Sequence, residues 1–141
     1  MRLVSRASAP KWGHDGGVNS DPRSVVVAAF DRLNAHDLDG YYELCDNDFT
    51  YIGTTERRGK AQARAVDEPF FAGLADHWRR LAKLLVCGDT VAVWLTFGGT
   101  PVATGRAFEA EFCDVIEVRE GRIQSLRIYA DFPALMAKLA P

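Results

Sequence analysis

Two carboxylates and a tyrosine carry the chemical possibilities of this chain: Asp114, Asp131 and Tyr51. Asp114 sits in the stretch from Gly105 to Val118, GRAFEAEFCDVIEV. Even positions there read Arg106, Phe108, Ala110, Phe112, Asp114, Ile116, Val118; odd positions carry Ala107, Glu109, Glu111, Cys113, Val115, Glu117. That two-residue period is a long strand with one face on a core, and Asp114 interrupts the apolar face. A carboxylate held away from water has a raised pKa, so it can donate a hydrogen bond to a ligand carbonyl or polarise a developing oxyanion. The other reading is an ion pair, with Arg80, Arg106 or Arg127 as partner. Asp131 stands before Phe132 to Leu139 and has two readings as well. At a pocket mouth it can take a proton α to a carbonyl. As a plain helix N-cap it stabilises by about 1 kcal/mol and does no chemistry.

The elements that must hold these residues can be read in order. Residues 1–20, rich in Gly, Ser, Pro and charge, read as a flexible arm that includes Trp12 and His14. Residues 21–141 are the folded domain. Asp21-Pro22 starts a helix to about Ala35, with Val26, Ala29, Phe30 and Leu33 on one stripe. Asp37 caps a short helix through Leu44. Asp48 to Ile52 is a strand, 53–59 a loop, and Lys60 to about Asp67 a helix that Pro69 ends or kinks. Asp76 to Cys87 and Thr90 to Phe97 meet through Gly88-Asp89, a hairpin signal. Regular pairing across that turn places Trp78, Arg80, Ala82, Leu84 and Val86 inside with Val91, Val93, Leu95 and Phe97, leaving His77 and Arg79 outside. A slip of one residue would bring His77 in. His36 sits at a helix end and reads as a cap-region residue. Glu120-Gly121 turns the long strand into Arg122 to Ala130, and Asp131 caps the last helix.

Helices first, then strands, then a closing helix make an α+β fold. A bent antiparallel sheet wrapped around the N-terminal helices leaves a cone with a pocket, lined by Tyr51, Trp78, Arg80, Phe97, Phe108 and Phe112. Those aromatics read either as core or as walls for a small hydrophobic ligand. Exposed Leu, Trp94 and Val115 on the outer sheet face predict a homodimer.

The totals narrow the classes further. At 141 residues, 48% hydrophobic and 26% charged with net charge -2, the chain reads as an ordinary globular domain. No basic block suggests nucleic acid, and no apolar run is long enough to span a bilayer. The N-terminal MRLVSRASAPKWGHDGG lacks an apolar signal core, so a cytoplasmic location is expected. Cys45, Cys87 and Cys113 form neither zinc spacing nor a disulfide framework. No phosphate loop, Ser-His-Asp set or metal cluster occurs, so no cofactor is expected.

The segments LNAHDLDGYYELCDNDFTYIG, RRGKAQARA, LLVCGDTVAVWLTFGG and FCDVIEVREGRIQSLRIYADFPALMAKL, in that order and spacing, resemble the nuclear-transport-factor-2-like superfamily and its SnoaL-like group. The resemblance covers residues 24–139 and implies a cone-shaped α+β barrel with a short C-terminal helix, and frequent homodimers. Its functions range from isomerases, cyclases, dehydratases and epoxide hydrolases to binding modules, so each site must be matched residue by residue. Against ketosteroid isomerases, Asp114 falls on the protonated Asp, but Ala29 stands at the tyrosine and Gly53 at the base. Against limonene epoxide hydrolases, Tyr51 matches the tyrosine, while Gly53, Trp94, Thr96 and Ile128 replace the other catalytic positions. Against SnoaL-type aldol cyclases, Asp131 matches the acid/base residue. Dehydratases of the fold use an Asp-His pair, which would bring in His77. Together these imply a cofactor-free isomerase, cyclase or lyase moving protons on a hydrophobic carbonyl compound, with Asp131 as acid/base, Asp114 at the oxyanion and Tyr51 assisting. The alternative is a non-catalytic ligand-binding or accessory module.

Overall fold

A computed structural model of the chain describes residues 21–141. The expected arm over residues 1–20 lies outside the described residues. Helix α1 spans Pro22–Asn34, and the Asp21 carboxylate caps it by accepting from the Ser24 amide at 3.0 Å. Val25, Val26, Ala29 and Phe30 form its buried stripe, which lies against the sheet. Helix α2, Leu38–Glu43, is capped by Asp37, which accepts from the Gly40 amide at 2.9 Å.

Six strands follow: β1 Cys45–Ile52, β2 Glu56–Arg58, β3 Trp78–Cys87, β4 Thr90–Gly99, β5 Phe108–Arg119 and β6 Arg122–Ala130. They form one open sheet in the order β2-β1-β6-β5-β4-β3, with β1 parallel to β6 and every other pair antiparallel. Helix α3, Lys60–Ala72, lies between β2 and β3 in sequence, and α4, Phe132–Leu139, closes the chain. The helices cover the concave face of the sheet, and the core fills the space between. This is the α+β cone with a short last helix expected from the residues. The one parallel pair is the departure from an all-antiparallel sheet.

Three local expectations change. First, β1 begins at Cys45, earlier than Asp48, and Glu56–Arg58 inside the expected loop pairs with it as β2. A three-residue charged edge strand carries no hydrophobic period to read. Second, α3 runs through Pro69 to Ala72. The lost amide bond is offset by the aromatic contacts of the last turn: Phe70 stacks on Phe97 at 6.4 Å between centroids, and Phe71 packs on His77 at 4.6 Å.

The third change matters most. Strand β3 pairs with β4 as expected near the turn, Val86 with Val91 and Leu84 with Val93. The register then shifts, so that Leu81 faces Leu95, Arg79 faces Phe97 and Ala82 has no partner. This one-residue bulge moves every earlier side chain to the opposite face. His77 and Arg79 turn inward, while Trp78 and Arg80 turn outward. The expected inward places of Trp78 and Arg80 are therefore corrected.

The rotated segment is tied to α1 by Asn34. Its side-chain amide donates to the Arg79 carbonyl at 2.9 Å and accepts from the Arg79 amide at 2.8 Å, doing for the β3 edge what another strand would do. Asn34→Ala leaves both backbone groups without that partner and should destabilise the fold by about 2 kcal/mol in urea unfolding. A loss below a few tenths of a kcal/mol would mean the clamp does not hold β3.

Candidate functional site

Between the sheet and the helices lies a cavity of about 520 Å³. Phe30, Leu74, Phe97, Phe112, Ile116 and Leu135 supply much of its apolar wall. Its polar groups are few: Tyr41, Tyr51, Arg57, Asp67, Arg79 and Asp114 in the main. A mostly apolar hollow with a small set of converging polar groups is the ordinary form of a small-molecule site.

Asp114 stands at the centre of the sheet, where β5 pairs with Val93 on β4 and with Ile128 on β6. It is 4% exposed, and its Oδ1 is buried with no hydrogen-bond partner. Burial among apolar neighbours raises its pKa from 3.8 to about 7, opposed only by the positive charge of Arg79. A carboxyl poised there can take or give a proton at neutral pH.

Arg79 is the cation on the same wall. Burial lowers its pKa to about 10, with Tyr41, Asp114 and Asp67 acting in the other direction, so it stays charged at neutral pH. Its guanidinium carbon stands 5.0 Å from the ring centroids of both Phe71 and Phe97. Nη1 donates to Nδ1 of His77 at 2.9 Å. Burial, helped by the charges of Arg79 and His36, pushes the His77 pKa down to about 4, so the ring is neutral and can accept. His36, at φ 60°, stacks on His77 at 4.1 Å and directs its Nε2 at the His77 carbonyl, 2.9 Å away. No ion pair joins Arg79 to a carboxylate among the described residues.

A second polar group includes Asp67, which lines the same cavity. The Tyr42 hydroxyl donates to Asp67 at 2.5 Å. Burial raises the Asp67 pKa, while that hydrogen bond and the charges of Arg57 and Arg79 lower it. Burial also raises the pKa of Tyr51, over whose ring the Arg57 guanidinium sits at 4.7 Å. A Cβ at Gly53 would fall 2.9 Å from the Tyr51 hydroxyl, so the Tyr51 ring packs directly over that glycine.

Of the residues singled out from sequence, the cavity brings together Asp114, Tyr51, Phe97 and Phe112. Phe108 is buried against Phe97, centroids 5.7 Å apart, behind the wall rather than on it. Trp78 lies on the outer face beneath Arg80, whose guanidinium carbon is 5.1 Å from its ring, and Arg80 also reaches Glu109 at 4.0 Å. Asp131 is exposed and accepts from the Ala134 amide at 3.0 Å. It caps α4, the one of its two readings that finds a contact in the structure, and it is not among the residues that line the cavity. The sequence reading missed Asp67, Arg57, Tyr41 and Arg79. Asp67 follows the inward Ala63 by one helical turn, a signal that was available. For Arg79 the signal was hidden by the bulge. Among the described residues no group of His, Cys, Asp and Glu is placed to hold a metal ion.

Residues 26–126 match the sequence model of the family described as the SnoaL-like domain. No curated protein matches the chain. Among solved structures, a putative SnoaL-like polyketide cyclase from Jannaschia sp. CCS1 is similar with TM-score 0.75 and 20% identity, over 95% of this chain and 99% of that one. An NTF2-like protein of unknown function from Burkholderia pseudomallei K96243 gives 0.77 and 16%, over 85% and 98%. TerC, co-crystallised with polyporic acid, gives 0.75 and 16%, over 84% and 97%. At these identities the likeness is one of fold.

Folding raises the Asp114 pKa, so between pH 4 and 7 the native chain holds a proton that the unfolded chain has released. The site's contribution is therefore full at low pH and is lost as the pH climbs towards 7. Asp114→Asn has no such proton. From pH 5 to pH 8 the wild type should lose about 2–3 kcal/mol relative to this variant in urea unfolding. Parallel pH profiles would show that Asp114 is solvated or paired.

Proposed function

The chain belongs to the SnoaL-like domain family, and on that premise we propose that its cavity binds a small, mostly apolar carbonyl compound and moves a proton on it without a cofactor. The single observation that supports this most is Asp114: a carboxyl on the cavity wall, buried, with one oxygen unpartnered and a pKa near neutrality. In this reading the Asp114 carboxylate takes a proton from the carbon α to the ligand carbonyl. The C–H electron pair moves into the enolate, whose oxygen is stabilised by the charge of Arg79 and by the Tyr51 hydroxyl. Asp114, now protonated, returns the proton to carbon or oxygen of the product. Isomerisation, aldol ring closure and elimination share that first step, and apolar walls with few polar groups suit a ring-bearing ligand. Asp131 is given no part, since it is exposed, caps α4 and does not line the cavity.

The test is deuterium exchange at the α-carbons of a panel of polyketide-like and steroid-like ketones, followed by NMR. Exchange should rise with pH through about 7 as Asp114 ionises, and Asp114→Asn should slow it by about 100-fold. Asp131→Asn should stay within about twofold of wild type once its lost cap, near 1 kcal/mol of stability, is allowed for. Ligand binding with no exchange would overturn the proton-transfer reading in favour of a binding module.

We also propose a homodimer through the outer sheet face. Leu85, Trp94 and Tyr129 are about half exposed there, and Trp94, Cys113 and Tyr129 are direct neighbours across β4, β5 and β6. Such a row is costly to leave in water. Sedimentation should give a dimer that Trp94→Glu converts to monomer; a wild-type monomer at high concentration would rule the interface out.

A further inference from the structure

The cavity's unspent polar groups are unequal in kind. Arg79 presents five N–H donors, of which one goes to His77 Nδ1, and no further hydrogen bond from the guanidinium occurs among the described residues. Tyr41, on the same cavity, has its hydroxyl engaged with the Cys45 thiol. On the acceptor side, Asp67 already accepts from Tyr42, and Asp114 Oδ1 is the one buried side-chain oxygen left without a partner among the described residues. A ketone oxygen has two lone pairs and cannot use a guanidinium fork; a carboxylate matches it with two parallel hydrogen bonds. The aromatic rings of Phe71 and Phe97 beside the guanidinium carbon leave its donors to be used along the guanidinium plane. Arg79 forms no ion pair among the described residues and feels Asp114 and Asp67 only at longer range, so an anionic ligand at the fork would stabilise its charge further.

We infer that the compound taken by this cavity is an acid, a planar ring compound whose carboxylate is held by the Arg79 fork while its apolar body fills the hollow towards Phe97 and Phe112. This rests on the reading of the cavity as a small-molecule site and names the ligand class for it. A consequence follows for Asp114, which shares the wall. A second negative charge in the hollow raises the proton affinity of Asp114, so at pH 7 a fraction of the sites take up a proton with the acid, and the carboxylate form that removes the α-proton is reached at higher pH.

Matched probes separate the possibilities: 2-naphthoate, methyl 2-naphthoate and 2-acetylnaphthalene, titrated by calorimetry at pH 7 in phosphate and in Tris. The acid should bind about tenfold or more tightly than the ester. Arg79→Met should bring the acid-to-ester ratio to about one, and Arg79→Lys, which keeps charge but loses the fork, should fall between. The difference in heat between buffers should report uptake of a fraction of a proton with the acid and none with the ester, and Asp114→Asn should abolish that uptake. Circular dichroism on each variant separates misfolding from lost recognition, and the wild-type acid-to-ester ratio tests the inference without any variant. Equal affinity for acid and ester in the wild type overturns it, as does a preference that survives in folded Arg79→Met. If ester and ketone bind and no acid is preferred, only the ligand class falls. If none of the three binds, the pocket reading itself falls.

Discussion

An unpaired residue in one strand decides the electrostatics of this molecule. Ala82 has no partner on β4, and the bulge it makes turns Arg79 from the outer face into the hollow. Without that slip the concave face would carry Trp78 and Arg80 instead, and the cavity would lose its only deeply buried cation among the described residues. The bulge persists because its consequences are satisfied locally. Asn34 takes up the Arg79 backbone, His77 accepts from the guanidinium, and Phe71 and Phe97 flank it. A buried charge is tolerated only when its surroundings are organised around it, and here α1, α3 and β4 all contribute.

The Asp114 site has the opposite character. Its neighbours on the sheet, Val93 and Ile128, offer it nothing polar. One carboxylate oxygen is buried and unpartnered, which a structure built only for stability would avoid. An Asp in that state is destabilising once ionised. Sites where stability is given up in this way are where chemistry or recognition is to be sought. Arg79 and Asp114 lie on one wall without forming an ion pair, so each keeps capacity for a third party.

Much of this frame was legible from the residues. Asp21, Asp37 and Asp131 announce their helices because a cap is a contact between residues three apart. Strands β4, β5 and β6 announce themselves through a period of two, and that period also places Asp114 inward, as found. Other features depend on contacts distant in sequence. Helix α3 passes through Pro69 because aromatic packing on Phe97 and His77 holds its last turn. Strand β2 exists because β1 offers it an edge.

The sequence by itself determined the α+β plan, the caps, the resemblance to its family and the inward place of one carboxylate, because each of these follows from near neighbours or from a regular repeat. Tertiary structure decided which arginine faces the hollow, that Asp131 serves the α4 cap outside the cavity, and that Asp67 and Tyr41 join the polar set. The physical reason is that a bulge changes side-chain direction by half a turn while leaving composition and period on either side intact. Only the facing strand, through the pairs Arg79–Phe97 and Leu81–Leu95, records that it has happened.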